Sequence, residues 1–131
     1  MILGFTLATR FERLTALVMD GIIAVAPLIA TFFVAPSLGG AAALVFPLTV
    51  AWMFFHGFLG DGLGDGQSLG KQFIGIRVID ATSGRACTFL QSFIRNVVLS
   101  ALGPIDWLFI FGERRQRLGD RAAGTIVVTA A

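Results

Sequence analysis

Forty residues decide the fold of this chain: GIIAVAPLIATFFVAPSLGGAAALVFPLTVAWMFFHGFLG, from Gly21 to Gly60. The stretch contains no Asp, Glu, Lys or Arg. A helix needs roughly 20 apolar residues to cross a hydrocarbon core of roughly 30 Å. A proline and paired glycines interrupt the stretch at residues 36–40, and such residues end helices and open turns. The stretch therefore predicts two antiparallel transmembrane helices, at about residues 10–34 and 41–59.

The composition of the whole chain agrees with a membrane protein. Hydrophobic residues make up 56% of the 131 residues and charged residues 14%, against about 25% charged in ordinary soluble domains. The net charge of +2 is too small to indicate a nucleic-acid partner. Cys87 is the single cysteine, so no intramolecular disulfide can form. We expect one membrane domain over residues 1–131.

A secretory signal peptide is the alternative interpretation of the N-terminus. Arg10 and Arg13 would form its basic region and residues 21–34 its apolar core. Asp20 at the start of that core opposes this interpretation, and no clean small-residue cleavage site follows it.

A third apolar segment, at about residues 89–111, is interrupted by charge. Arg95 and Asp106 lie inside it, and Gly103-Pro104 breaks its helical pattern. A full crossing would also carry the basic residues that follow it to the outer side, against the positive-inside rule. We therefore favour a re-entrant or interfacial broken helix over a third span.

Two short β-branched runs flank this third segment, at Ile76–Asp80 and Thr125–Thr129. If the third segment does not cross, both runs lie on one side of the membrane, and we expect Ile76–Ile79 to pair with Ile126–Thr129. The predicted fold is an all-α membrane protein with two spans, a broken third helix and a minor two-stranded β pair. The positive-inside rule places both termini and the β pair in the cytoplasm, and we expect the plasma membrane.

Asp20 is the first candidate functional residue, because it lies inside the first predicted span. A charged side chain at mid-helix costs about 2.5–3.5 kcal/mol on insertion scales. A buried carboxylate is protonated, paired or hydrated, and each state suits an ion or proton site. Arg13, two helical turns earlier, would anchor the helix at the head-groups or tune Asp20. Arg95 is the partner that we expect for Asp20, because it too lies in an apolar segment and needs an anion.

The other candidate sites are weaker. The segment Gly62–Lys71 resembles a phosphate-binding loop, but Asp65 stands where that motif needs a glycine. Asp61 and Asp65 would suit calcium, but Leu63 occupies a ligand position of the calcium loop. His56 is interpreted as an interfacial side chain rather than a proton relay. With no nucleophile set and no metal cluster visible, we expect no enzyme activity, no metal and no cofactor.

Four motifs follow one another along the chain: Arg13-Leu-Thr-Ala16-Leu-Val-Met-Asp20, Ser68-Leu-Gly-Lys71-Gln-Phe-Ile-Gly75-Ile-Arg77-Val-Ile-Asp80, Phe93-Ile-Arg95-Asn96 and Arg117-Leu-Gly-Asp120-Arg-Ala-Ala-Gly124-Thr125. In this order they resemble the RDD family of small membrane proteins, named for one arginine and two aspartates. The resemblance covers nearly the whole chain. It implies an integral membrane protein and assigns the name-giving residues to Arg13, Asp20 and Asp120.

Two functions fit these expectations. In the first, the chain transports an ion or small solute: Asp20 carries it, Arg13 and Arg95 tune Asp20, and Asp120 orders the basic closing loop. Two helices cannot enclose a pathway, so this function requires a homo-oligomer or another membrane-protein partner within the lipid bilayer. In the alternative, the chain is a non-transporting membrane module that binds or regulates a protein partner.

Overall fold

The computed structural model describes residues 1–130 and is mostly helical, with one small sheet. Its helices are α1 (Arg10–Leu38), α2 (Ala42–Leu59), α3 (Leu69–Ile74), α4 (Phe89–Leu102), α5 (Pro104–Leu108) and α6 (Leu118–Ala123). The strands are β1 (Ile76–Asp80) and β2 (Thr125–Thr129). Short 3-10 turns follow α1, α2 and α5, at Gly39–Ala41, Gly60–Gly62 and Phe109–Phe111.

Helices α1 and α2 form an antiparallel hairpin. Trp52 Nε1 donates to the Ile23 carbonyl at 3.0 Å, and His56 lies 3.0 Å from Asp20, so later residues of α2 meet earlier residues of α1. By length and composition, the segment Arg10–Gly62 that contains this hairpin can cross a membrane, since an 18-residue window within it has a mean hydropathy of 2.2.

The beginning of α1 follows its sequence signals, but its end does not. Thr9 and Glu12 form a reciprocal capping box, in which the Glu12 amide donates to Thr9 Oγ1 at 3.1 Å. The helix was expected to end near residue 34, before Pro36, but it continues to Leu38. A proline in a helix removes one backbone donor, but the residues around Pro36 keep helical geometry, so α1 continues past it. Gly39, with φ of 55°, makes the turn instead, in a region that favours glycine.

The third apolar segment is broken where the sequence predicts. Gly103 also has φ of 55° and separates α4 from α5, which begins with Pro104 at its first position. The two parts of Phe89–Phe111 are bent by 109°. A straight third span is therefore not formed, in agreement with the expected broken helix.

Strands β1 and β2 pair antiparallel, with Ile76 opposite Thr129 and Ile79 opposite Ile126. The predicted strand pairing is thus confirmed. Two strands alone are marginal in water, but the adjoining chain covers both edges of this pair. Ala8 donates to the Val127 carbonyl at 3.0 Å on one edge, and Val78 donates to the Gly66 carbonyl at 2.8 Å on the other. Both faces of the sheet are buried among apolar side chains.

Candidate functional site

A polar cavity of about 180 Å³ lies where the hairpin, α4 and the small sheet meet. The hairpin contributes Asp20 and His56 to its wall, and α3 and α4 contribute Lys71 and Arg95. Small and apolar residues of the hairpin and of α4 also line the cavity: Leu17, Gly21, Ala24, Gly57 and Leu99. The wall therefore combines charged groups with small or apolar groups.

Asp20 lies in a corner that is rich in hydrogen-bond donors. Its Oδ2 atom accepts from Ser68 Oγ at 2.6 Å, and its Oδ1 atom accepts from the Gly70 amide at 2.7 Å. His56 Nε2 lies 3.0 Å from the same Oδ1 atom. A Cβ at Gly70 would lie 2.7 Å from this carboxylate oxygen and from the Ala16 carbonyl, so glycine is required for α3 to approach α1. These contacts fix the orientation of the Asp20 carboxylate.

Lys71 connects this corner to a second carboxylate. Its Nζ atom lies 2.6 Å from Asp61 Oδ1 and 3.5 Å from Asp20 Oδ2. The other oxygen of Asp61 pairs with Arg95 at 3.0 Å. Asp61 stands in the 3-10 turn after α2, and its amide donates to Ser92 Oγ, so both main chain and side chain of Asp61 are held by α4.

Asp120 is the fully buried centre of an arginine cluster. Its Oδ1 atom lies 2.8 Å from Arg95 NH2 and its Oδ2 atom contacts the Arg13 guanidinium. Oδ2 also accepts from the Arg117 amide at 3.1 Å and so caps the first turn of α6. Burial raises the pKa of Asp120, but the nearby Arg13, Arg95 and Arg117 outweigh burial and hold the pKa well below its usual range.

A fourth carboxylate, Asp106, joins α5 to α6. Its Oδ1 atom accepts from the Gly119 amide at 2.7 Å, and its Oδ2 atom lies 3.5 Å from Arg117 Nε. Arg13 and Arg117 both lie over the Trp107 ring, with their guanidinium carbons 5.9 and 5.6 Å from its centroid. Burial lowers the pKa of Arg117 from its usual value.

These contacts define one charge network of eight side chains, in which four carboxylates balance four basic groups: Asp20, Asp61, Asp106 and Asp120 with Arg13, Lys71, Arg95 and Arg117. Buried charges are costly unless they are paired and hydrogen-bonded. A network in which the four carboxylates and the four basic groups balance meets that requirement. Its exposed edge is the cavity, where Asp20 and Lys71 retain 15% and 12% of their side-chain surface.

The structure brings all four predicted site residues into this network, but with different partners from those expected. The expected pair of Asp20 with Arg95 is wrong. Arg95 pairs with Asp61 and Asp120, while Asp20 meets His56 and Lys71. The misassignment arises because the Gly60–Gly62 turn and α6 bring two nearer carboxylates to Arg95.

Several residues of the site were not predicted from the sequence. Asp61 was considered only as a calcium ligand, and His56 was interpreted as interfacial, but both are buried in the site. The available signal was that Asp61 directly follows the charge-free run and that His56 lies in the last turn of α2. Within residues 1–130, no group of three or more His, Cys, Asp or Glu side chains could hold a metal ion.

The pattern of charged residues along the sequence matches a known family. The sequence model of the RDD family matches residues 7–124, which is nearly the whole chain. The chain belongs to the RDD family. No curated protein and no solved structure is significantly similar to it. In this RDD protein, the three residues that the resemblance assigns to the family name, Arg13, Asp20 and Asp120, are all members of the charge network.

Proposed function

We propose that this RDD protein is an integral membrane protein that transports a small ion or solute through its polar cavity. At 1.5 Å per residue, α1 and α2, with 29 and 18 residues, extend about 43 and 27 Å. Both lengths approach or exceed the roughly 30 Å of a hydrocarbon core. Large apolar side chains project outward from the hairpin, including Phe32 and Phe33, which are 71% and 78% exposed. Lipid is the solvent that favours such a surface, so we infer that both helices span the bilayer.

The distribution of basic residues indicates how the chain is oriented in the membrane. Arg10 and Arg13 lie in the first turn of α1, and basic side chains also occur between α2 and α4 and after α5, whereas the Gly39–Ala41 turn carries no charge. The positive-inside rule then places the turn outside and both termini in the cytoplasm. The bent pair α4–α5 lies at the cytoplasmic interface, with apolar Phe93 and Leu108 toward the lipid. The proposed location is the plasma membrane.

One observation carries the transport proposal: a polar cavity bounded by Asp20 lies at the cytoplasmic end of the inferred hairpin. Intramembrane carboxylates usually mark ion or solute pathways. Asp20 is held in place by His56, Ser68 and Gly70 and still keeps part of its surface open to the cavity. Because one hairpin cannot enclose a pathway across the bilayer, the transporting unit is a homo-oligomer or includes another membrane protein. We do not assign enzyme activity to this site.

Flux into proteoliposomes tests the proposal. The native chain, reconstituted with a pH-sensitive dye and imposed Na⁺, K⁺ or H⁺ gradients, is expected to show a flux above that of empty vesicles. Asp20→Asn should abolish it, because the amide keeps the volume of the side chain but removes its charge. Asp80→Asn is the matched control, since Asp80 lies in the strand pair outside the cavity, and its flux should equal that of the native chain. An unchanged flux in Asp20→Asn would contradict the proposal.

The alternative, a non-transporting module that binds a protein partner, has one observation in its favour. The charge network is balanced without any ligand, as expected of a purely structural network. In that case the native chain shows no flux under any gradient. A partner would then be retained on the native chain and lost from variants of its cytoplasmic surface.

A further inference from the structure

Two arginines from distant parts of the chain lie against the 3-10 turn that follows α5. Arg10, at the start of α1, donates from Nε to the Ile110 carbonyl at 3.3 Å, and its guanidinium carbon lies 5.3 Å from the centre of the Phe111 ring. The guanidinium carbon of Arg121, in α6, lies 5.3 Å from the centre of the Phe109 ring. The fold therefore brings two guanidinium groups to one short turn.

The residues after this turn extend the basic surface. A Cβ at Gly112 would lie only 3.3 Å from a terminal nitrogen of Arg121, so the absence of a side chain there leaves space for the guanidinium group. Arg114 follows two residues later and is exposed, as are Arg10 and Arg121. We call these three residues, Arg10, Arg114 and Arg121, the arginine face.

The arginine face has little counter-charge of its own. Among the ion pairs within residues 1–130, none includes one of its three members. Three acids are close to it in sequence. Asp120 is buried in the charge network, and the Glu12 carboxylate accepts from the Thr9 amide and hydroxyl. Glu113 is therefore the one exposed acid that remains to offset three positive charges.

Large apolar side chains accompany the arginine face. Phe11 follows Arg10 in the chain and is 77% exposed, Phe111 is 72% exposed, and Ile105 and Leu108 of α5 are also exposed. A surface that combines arginines with exposed apolar rings is typical of segments that lie at a membrane interface. This apolar surface also continues the exposed apolar surface of the hairpin, for which lipid is the inferred solvent. A lipid is therefore favoured over a soluble acidic protein as the partner.

We propose that the arginine face binds the phosphate group of an anionic phospholipid in the cytoplasmic leaflet. None of its residues lines the polar cavity, so this site goes beyond transport and rests only on the membrane insertion and orientation inferred above. Guanidinium groups match phosphate oxygens with two parallel hydrogen bonds. The rings of Phe109 and Phe111 support Arg121 and Arg10 and restrict their orientations before a lipid binds.

Thermal unfolding of the purified chain in a neutral detergent tests this site. Short-chain phosphatidylglycerol, titrated at constant ionic strength, should raise the unfolding midpoint saturably, whereas phosphatidylcholine with the same acyl chains should not. Each basic residue strengthens binding at an anionic membrane surface by about fivefold. Arg10→Gln and Arg121→Gln should therefore each weaken the apparent affinity by about fivefold, and the double variant by about thirtyfold.

The matched control is Arg85→Gln, which removes the same charge from an exposed arginine between β1 and α4 and should leave the affinity unchanged. If Arg10→Gln or Arg121→Gln does not fold, Arg114→Gln provides the test, and it too should weaken binding. Equal responses to the two lipids would overturn the proposal, as would an affinity that the arginine-face variants retain.

Two further probes separate the lipid from other anions. Inorganic phosphate that reproduces the whole response would assign the arginine face to a free anion, and poly-L-glutamate that binds where phosphatidylglycerol does not would assign it to an acidic protein; either result would overturn the lipid site. A selective lipid response in a chain that shows no flux would count against transport alone. Flux without a lipid response would count against the lipid site alone.

Discussion

Removal of the Asp120 carboxylate should destabilise the fold severely. Asp120 is fully buried, and it pairs with Arg13 and Arg95, whose side chains are 4% and 1% exposed. Asp120→Ala leaves both guanidinium groups buried beside a cavity with less counter-charge. Breaking a buried ion pair from one side costs about 3–5 kcal/mol. Because folded domains are stable by only about 5–15 kcal/mol, a large part of the stability would be lost.

The assay is reversible unfolding by SDS in mixed detergent micelles, followed by circular dichroism at 222 nm. Asp65→Ala is the matched control, because the same residue type is exposed there, and it should change the free energy of unfolding by less than about 0.5 kcal/mol. The double variant Arg13→Met with Asp120→Ala should cost less than the sum of the single variants, by about 0.5–3 kcal/mol. If Asp120→Ala resembles the control, or the two losses simply add, the buried pair does not stabilise the fold.

Four further predictions follow from the same geometry. Because the pKa of Asp120 is lowered on folding, the contribution of Asp120 to folding stability should be constant from pH 8 to pH 5 and decline only below about pH 4. The unfolding midpoint measured against pH tests this. Burial raises the pKa of the Cys87 thiol to about 11, so maleimide should label it slowly at pH 8 in the folded chain and rapidly after denaturation. Gly119→Ala would place a Cβ 2.3 Å from a backbone carbonyl of α4 and should cost about 1–3 kcal/mol of unfolding free energy. In a Cys87→Ala background, an impermeant thiol reagent should label Ser37→Cys from outside in intact cells and leave Thr129→Cys unlabelled; labelling of the latter would mean that α4–α5 crosses the membrane.

Local chemistry made much of the fold predictable. The charge-free run from Gly21 to Gly60 predicted the helical hairpin, because apolar helices interrupted by paired glycines have few other arrangements. The break at Gly103-Pro104 was equally local, since the proline cannot continue the preceding helix. The strand pairing depended on one more step, that both β-branched runs lie on one side of the bilayer. The predicted end of α1 was four residues too early, because Pro36 was expected to stop the helix. In the structure the helix ends at Leu38, and Gly39, with its positive φ, makes the turn.

The sequence by itself singled out four of the eight residues that carry buried charge, and the tertiary structure decided how all eight pair. Arg13, Asp20, Arg95 and Asp120 stand out because they interrupt apolar segments or recur in motifs. Their partners depend on distances between elements far apart in the chain, and a one-dimensional pattern contains no such distances. The approach of α3 to α1 brings Lys71 next to Asp20, and the Gly60–Gly62 turn brings Asp61 next to Arg95. Each pairing minimises the cost of burying charge only in the assembled fold, where the alternative carboxylates compete for the same basic groups.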